Sequence, residues 1–179
     1  MSRMPAIKRE TLSKENQEVW DRIVAGRSGA AMRGPFAVLM QTPSLADRVA
    51  NVEDYFRTEG ELPAADRELV ILATVRELGA RFAWARHEAR AKELALPSEV
   101  IEALRTQAPL DALSARQRVL VEVTQSLLRA HALPDALHAR ALGELGLTQL
   151  VETVVLIGQY NLIGLLIVGF EVPEESPTF

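Results

Sequence analysis

Apolar residues return every three or four positions along almost the whole chain, and alternating β-branched runs are absent, so the pattern predicts helices and no sheet. Ser13 is placed to cap a first helix carrying Val19, Trp20, Ile23 and Val24, which Gly26 closes. The polar, small-residue stretch from Gly26 to Gly34 reads as a mobile loop. Pro35 opens a short helix with Phe36, Val38 and Leu39; a further one begins at Ser44, after Thr42-Pro43, and aligns Leu45, Val49, Val52 and Phe56 until Gly60. Pro63 opens a helix through Leu78, and after Gly79 another runs from about Ala80 to Ala95, ahead of Pro97. The second half predicts helices over 98–105, over 114–131 with a capping box of Ser114 and Gln117, over 134–145 and over 148–170. The tail from Pro173 to Phe179 reads as extended. The whole predicts an all-α fold of about eight or nine helices in a single domain, 1–179, with its core within about 13–172.

Residues Val151 to Phe170 form the one stretch long and apolar enough to ask whether it crosses a bilayer. Glu152, Gln159 and Asn161 would then stand in hydrocarbon at a cost of a few kcal/mol for the acid alone, so the expectation is a core or oligomer-facing helix and no membrane partner. A weak internal echo aligns Leu62–Leu72 with Leu145–Leu156 and places Glu68 opposite Glu152, with Glu171 opposite His87.

Charge narrows the choice of partners. The 20 basic and 24 acidic residues are spread along the chain with no basic run to track a phosphate backbone, which argues against nucleic acid. Only Lys8, Lys14 and Lys92 are lysines; the other basic residues are arginines, whose planar fork suits carboxylates, in ligands or in surface ion pairs. The absence of cysteine excludes disulfides, thiolate metal sites, iron–sulfur clusters and any thiol chemistry carried by this chain alone. Met1 to Glu10 lacks the apolar core of a secretory signal, so the default expectation is a cytoplasmic protein. His131 and His138 are separated by Pro134 with no third ligand in register, and no metal is expected there.

At 100° per residue, Ala80, Ala83, Trp84, His87, Ala91 and Leu94 share one inward face, while Arg81, Arg86, Glu88, Lys92 and Glu93 fall elsewhere. Ala80 and Ala83 leave room in the turn before His87, with the Trp84 indole as a possible wall. From periodicity alone His87 reads first as a core histidine bonded to a backbone carbonyl, and Trp84 as ordinary core packing. Glu68, beside Asp66 and Arg67 in the first turn after Pro63, reads as a surface acid favoured by the helix dipole.

The run from Arg67 through Val75, followed by Phe82-Ala83-Trp84-Ala85-Arg86-His87-Glu88, resembles the carboxymuconolactone decarboxylase family, which shares a superfamily with the alkylhydroperoxidase AhpD. Arg33-Gly34-Pro35-Phe36, Thr42-Pro43-Ser44-Leu45-Ala46 and Leu150 to Asn161, with Gly158-Gln159-Tyr160, extend the resemblance over most of the chain. In the AhpD branch a Glu, two Cys and a His follow one another at intervals of twelve, three and four residues; Glu68, Ala80, Ala83 and His87 occupy those positions here. Phe82 and Trp84 resemble the aromatic-x-Trp-x-x-His variant of the decarboxylase-like members.

The resemblance implies an AhpD-like helical bundle that assembles as homotrimers or homohexamers, with Glu68 and His87 as the surviving acid–base half of a site that has lost both thiols. It also implies a cofactor-free, decarboxylase-like lyase acting on a small acidic lactone or keto acid. Such chemistry needs a general acid near neutral pH, for which imidazole is suited and His87 is the candidate, with Glu68 orienting it. It needs an apolar wall, for which Trp84 and Phe82 are candidates, and a cation to hold a carboxylate, for which Arg33 at the Gly34-Pro35 helix start is the candidate. A non-catalytic binding or scaffold protein of the same fold is the competing expectation. An AhpD-like peroxidase comes last, for want of a thiol.

Overall fold

The computed structural model of the chain describes residues 3, 5, 7–27, 32–174 and 179. Among them there are eight helices and no strand. They are α1 (Lys14–Gly26), α2 (Pro35–Leu39), α3 (Pro43–Thr58), α4 (Ala64–Glu77), α5 (Arg81–Glu93), α6 (Ser98–Thr106), α7 (Ala115–Gln125) and α8 (Asp135–Gly169). Short 3-10 turns precede α1 and α7.

The local signals set most of the boundaries. Ser13 Oγ accepts the Asn16 N–H at the start of α1, and Ser114 with Gln117 forms the reciprocal capping box of α7. Pro35 and Pro43 sit in the first turns of α2 and α3. Between 114 and 131 the expected single helix changes character: α7 gives way at Ser126 to a wider π-type turn through Ala130, and His131 takes a left-handed φ of 53°. The expected break between 145 and 148 is also present. Gly146 has φ 72° and ψ 170°, so α8 is two helical segments joined across a kink at a residue that a side chain would strain. Residues 28–31 of the expected mobile loop and 175–178 of the tail lie outside the described residues.

α4 is the centre of the fold. Every residue from Glu68 to Val75 is buried, which follows from its packing against α5, α7 and α8. α1 and α3 pair with each other, and α3 also lies on α8. The apolar α8 is long enough for a bilayer by length and composition, but half of its apolar window is buried inside the protein. Its two polar residues most awkward for a membrane have internal tasks. Glu152 is buried and accepts the Glu61 N–H at 3.0 Å, the Leu62 N–H at 2.7 Å and the Tyr55 hydroxyl at 2.8 Å; Gln159 donates to the Val49 carbonyl. Glu152, on α8, is therefore tied to α3 by one bond and to the α3–α4 loop by two.

The echo between Glu68 and Glu152 goes no further than two buried carboxylates. Glu171, opposite His87 in that alignment, pairs with Arg3 at the surface.

Candidate functional site

α4 ends at Glu77 with Leu78 as its C-cap, Gly79 supplies the turn with φ 67°, and α5 runs back along α4. This hairpin brings residues nineteen apart into contact: Glu68 Oε2 lies 2.7 Å from His87 Nδ1, and Glu68 Oε1 lies 3.2 Å from Arg90 Nε. Glu68 is only 3% exposed. The expected first-turn surface position is therefore overturned: Glu68 is the fifth residue of α4, where α5 and α8 cover it. A buried carboxylate needs partners, and His87 and Arg90 provide them. With the Nδ1–H donating to Glu68, the ring nitrogen left for proton exchange is Nε2.

The pair opens onto a cavity of about 480 Å³ bounded by α1, α2, α3, α4, α5 and α8. Ile71, Leu156, Ile163 and Phe56 supply apolar wall, and the ring of Tyr160 stands edge-on to His87 with centroids 5.0 Å apart. Arg27, Arg33, Arg57, Arg67, Arg86 and Arg90 line it against Glu53, Glu68 and Glu93, a surplus of three positive charges with His87 neutral. Such a lining favours an anion.

Of the residues singled out by sequence, His87, Glu68, Arg33 and Phe82 all line this cavity. Phe82 also closes on Gly34, where an added Cβ would lie 2.2 Å from its ring. Trp84 does not line it, and its expected role as a pocket wall is corrected. It is fully buried on a different side of α5, its indole N–H donating to Glu88 at 2.8 Å and its ring beneath Arg105 and edge-on to Phe179. Helical geometry gives the reason: Ala83 and His87 are one turn apart and face the cavity, while Trp84 is rotated 100° from Ala83 and faces its own i+4 neighbour, Glu88. Ala80 is buried beyond the lining as well.

Among the lining residues that sequence reading did not pick out are Glu53, Arg27 and Tyr160. Glu53 pairs with Arg27, both largely buried, and the Arg27 guanidinium lies 3.4 Å over the Phe36 ring. Burial pushes the Glu53 carboxyl up, against the pull of Arg27, Arg57 and His87. Burial, with Glu53 and Glu68 nearby, holds the Tyr160 phenol well above its ordinary value, so it stays a neutral hydroxyl. One signal for Glu53 was present: with Val49 and Phe56 it makes an i, i+4, i+7 row, an acid set into an apolar stripe. Tyr160 stood only within the Gly158-Gln159-Tyr160 stretch that extends the resemblance, with nothing in its spacing to place it beside His87.

The family model for the carboxymuconolactone decarboxylase family matches residues 43–126, from the start of α3 to the end of α7, which includes both Glu68 and His87. Among solved structures, an AhpD-core, peroxidase-related protein from Ralstonia eutropha JMP134 superposes with a TM-score of 0.79 at 16% identity, covering 98% of this chain and 93% of that one. A peroxidase-related protein from Silicibacter sp. TM1040 gives 0.72 at 15% identity over 98% and 92%. An Agrobacterium tumefaciens protein assigned to AhpD-type antioxidant defence gives 0.69 at 18% over 78% and 97%. The sequence match is thus to the carboxymuconolactone decarboxylase family over the central part of the chain, and the fold is the one these AhpD-like structures share. No curated protein matches the sequence. On the α4–α5 hairpin Glu68 and His87 stand with Ala80 and Ala83 between them, at the four positions that the resemblance singled out.

Proposed function

We propose that this protein is a member of the carboxymuconolactone decarboxylase family and an acid–base enzyme of the decarboxylase kind, working with its own side chains on a small carboxylated lactone or keto acid. The observation that carries the reading is the Glu68–His87 pair opening onto a cavity of suitable size with a surplus of arginine.

The chemistry follows from the parts. A substrate carboxylate that stays in the product is held by guanidinium groups, Arg33 and Arg86 being on the lining with His87. The carboxylate that leaves lies against apolar wall, where loss of hydration favours its departure as neutral carbon dioxide. The C–C bond to it breaks, its electron pair passes into a conjugated dienolate, and carbon then takes a proton from Nε2–H of His87. Glu68 holds Nδ1–H and stabilises the imidazolium before that transfer; water returns the proton afterwards. A thiol peroxidase cycle has no reactive group on this hairpin, since both thiol positions are alanine.

The test is decarboxylation of 4-carboxymuconolactone and related keto acids, followed by loss of substrate absorbance, with wild type and His87→Ala in parallel. Turnover that drops by about 10²–10⁴ in His87→Ala is the expected result. No turnover on any of them, with both proteins folded, would return the chain to the reading of a binding or scaffold protein.

A further inference from the structure

The cavity wall carries a polar group that the fold leaves without a partner. Tyr160 is 9% exposed and lines the cavity, yet among the described residues its hydroxyl makes no hydrogen bond to the protein. A buried hydroxyl without a bond is costly, and nearly all find one. The other tyrosine of the chain, Tyr55, donates to Glu152 at 2.8 Å.

The Tyr160 hydroxyl stands on the cavity side of its ring. The charges that act on it, Glu53, Glu68, Arg27, Arg57 and Arg67, come from the end of α1, from α3 and from α4, and all of them line the cavity. The nearby carboxylates face other groups: Glu53 is paired with Arg27, and Glu68 with His87 and Arg90. Burial and the edge-on contact with His87 fix the ring, and with it the position of the hydroxyl oxygen. Among the described residues the lining holds no Ser, Thr, Asn or Gln, so Tyr160 is its one hydroxyl, and the other polar side chains there are charged, His87 apart. A neutral, fixed donor beside the imidazole suits an oxygen that becomes negative during the reaction. A carboxylate that arrives already charged is matched by the arginines instead.

We infer that the Tyr160 hydroxyl is a catalytic hydrogen-bond donor to the substrate's carbonyl oxygen, the one that becomes an enolate oxygen as carbon dioxide leaves. The inference rests on the decarboxylase reading above. As the C–C bond breaks, its electron pair passes through the conjugated system onto that oxygen; the phenol O–H donates to it and keeps its proton. When carbon takes the proton from Nε2–H of His87, the C=C pair forms the new C–H bond and a pair on oxygen restores the carbonyl. The arginines thus meet the charge that the substrate brings, and Tyr160 the charge that the reaction creates. Substrates are then limited to acids whose departing carboxylate is β to a carbonyl, directly or through a conjugated double bond.

Tyr160→Phe removes the oxygen alone, and since that oxygen bonds no protein group the urea midpoint is expected to be unchanged. On the substrate that wild type turns over, kcat is expected to fall by about 10²–10³ with KM little changed, the loss for one missing oxyanion donor. Binding gives a reading that needs no turnover. In 4-hydroxy-3-nitrobenzoate the nitrophenolate oxygen stands in for the enolate, the carboxylate meets the arginines, and the visible band reports binding. Tyr160→Phe is expected to weaken this probe by about 10–10² in Kd, and to leave 3-nitrobenzoate, which lacks that oxygen, unaffected. Full kcat in Tyr160→Phe with wild type active overturns the inference and leaves the decarboxylase reading standing. A lowered urea midpoint reveals a structural bond and overturns it as well. If wild type turns over no acid, the decarboxylase reading fails and the probe still decides for the hydroxyl. Loss confined to the nitrophenolate upholds it as the oxyanion donor; equal loss of both probes, no loss, or no binding by wild type overturns it.

Discussion

The imidazole of His87 and the ring of Tyr160 meet edge to face, with centroids 5.0 Å apart and planes at 89°. Glu68 fixes one ring nitrogen and Tyr160 fixes the ring plane, so the orientation of His87 is set from two helices, α4 and α8. Tyr160→Phe keeps the ring and is expected to leave unfolding within about 1 kcal/mol of wild type. Tyr160→Ala empties the wall beside the imidazole and is expected to cost about 3–5 kcal/mol, with turnover falling beyond what the Phe variant loses. Urea unfolding and kcat for the pair of variants check this.

Glu68→Gln keeps the shape of the side chain but removes the charge that His87 and Arg90 meet. Turnover is expected to fall by about 10–10² in kcat with little change in KM, because an orienting partner of a catalytic imidazole acts on the reacting state more than on binding. Steady-state kinetics on the substrate found with wild type would show it; a change confined to KM would place Glu68 in binding instead.

At Gly34 the backbone has φ 65°, and an added Cβ would sit 2.2 Å from Phe82 Cε1. Gly34→Ala meets both a strained conformation and a collision with the cavity rim. The expected loss is about 1–3 kcal/mol, and Phe82 is displaced towards the cavity, raising KM. Gly79→Ala is the useful contrast: its φ is also positive, at 67°, but nothing lies within 4 Å, so it is expected to cost stability without moving the rim. Thermal unfolding and KM for the two variants separate strain from collision.

Burial raises the carboxyl of Glu152, but the bonds from the Glu61 N–H, the Tyr55 hydroxyl and the Leu62 N–H, with Arg67 nearby, outweigh it and leave the group below its ordinary 4.5. A depressed native value means that the stabilisation is present above about pH 4.5 and is lost as pH falls through the native value. Wild type is expected to lose stability on acidification below that point, and Glu152→Gln to start less stable with a shallower acid limb. Unfolding midpoints from pH 7 to pH 3 for both proteins measure the difference.

Helix ends were legible because their causes are local. Ser13, Ser114 with Gln117, Pro35 and Pro43 act within a few residues, and Gly146 breaks α8 where the apolar periodicity paused after Leu145. The site was legible only in part. The reading of Glu68 as a first-turn surface acid missed twice: it is the fifth residue of α4, past the first turn, and its burial comes from α5 and α8, which local pattern does not see. Resemblance supplied the partner, His87. Trp84 was assigned to the same broad face as His87, yet a rotation of about 100° between Ala83 and Trp84 separates cavity from core, finer than a stripe of apolar letters resolves. Glu53 and Tyr160 come from α3 and α8, more than thirty and seventy residues from His87, and their meeting is a property of the tertiary fold.

Glu68 and His87 stand on neighbouring helices of one hairpin, so they can find each other early, at the small entropy cost of closing a short loop. The cavity they serve closes last, because Leu156, Tyr160 and Ile163 arrive with the final helix. A chain that has emerged only as far as α5 would therefore carry the Glu68–His87 pair open to water, and the surroundings of the pair form only once α8 has followed.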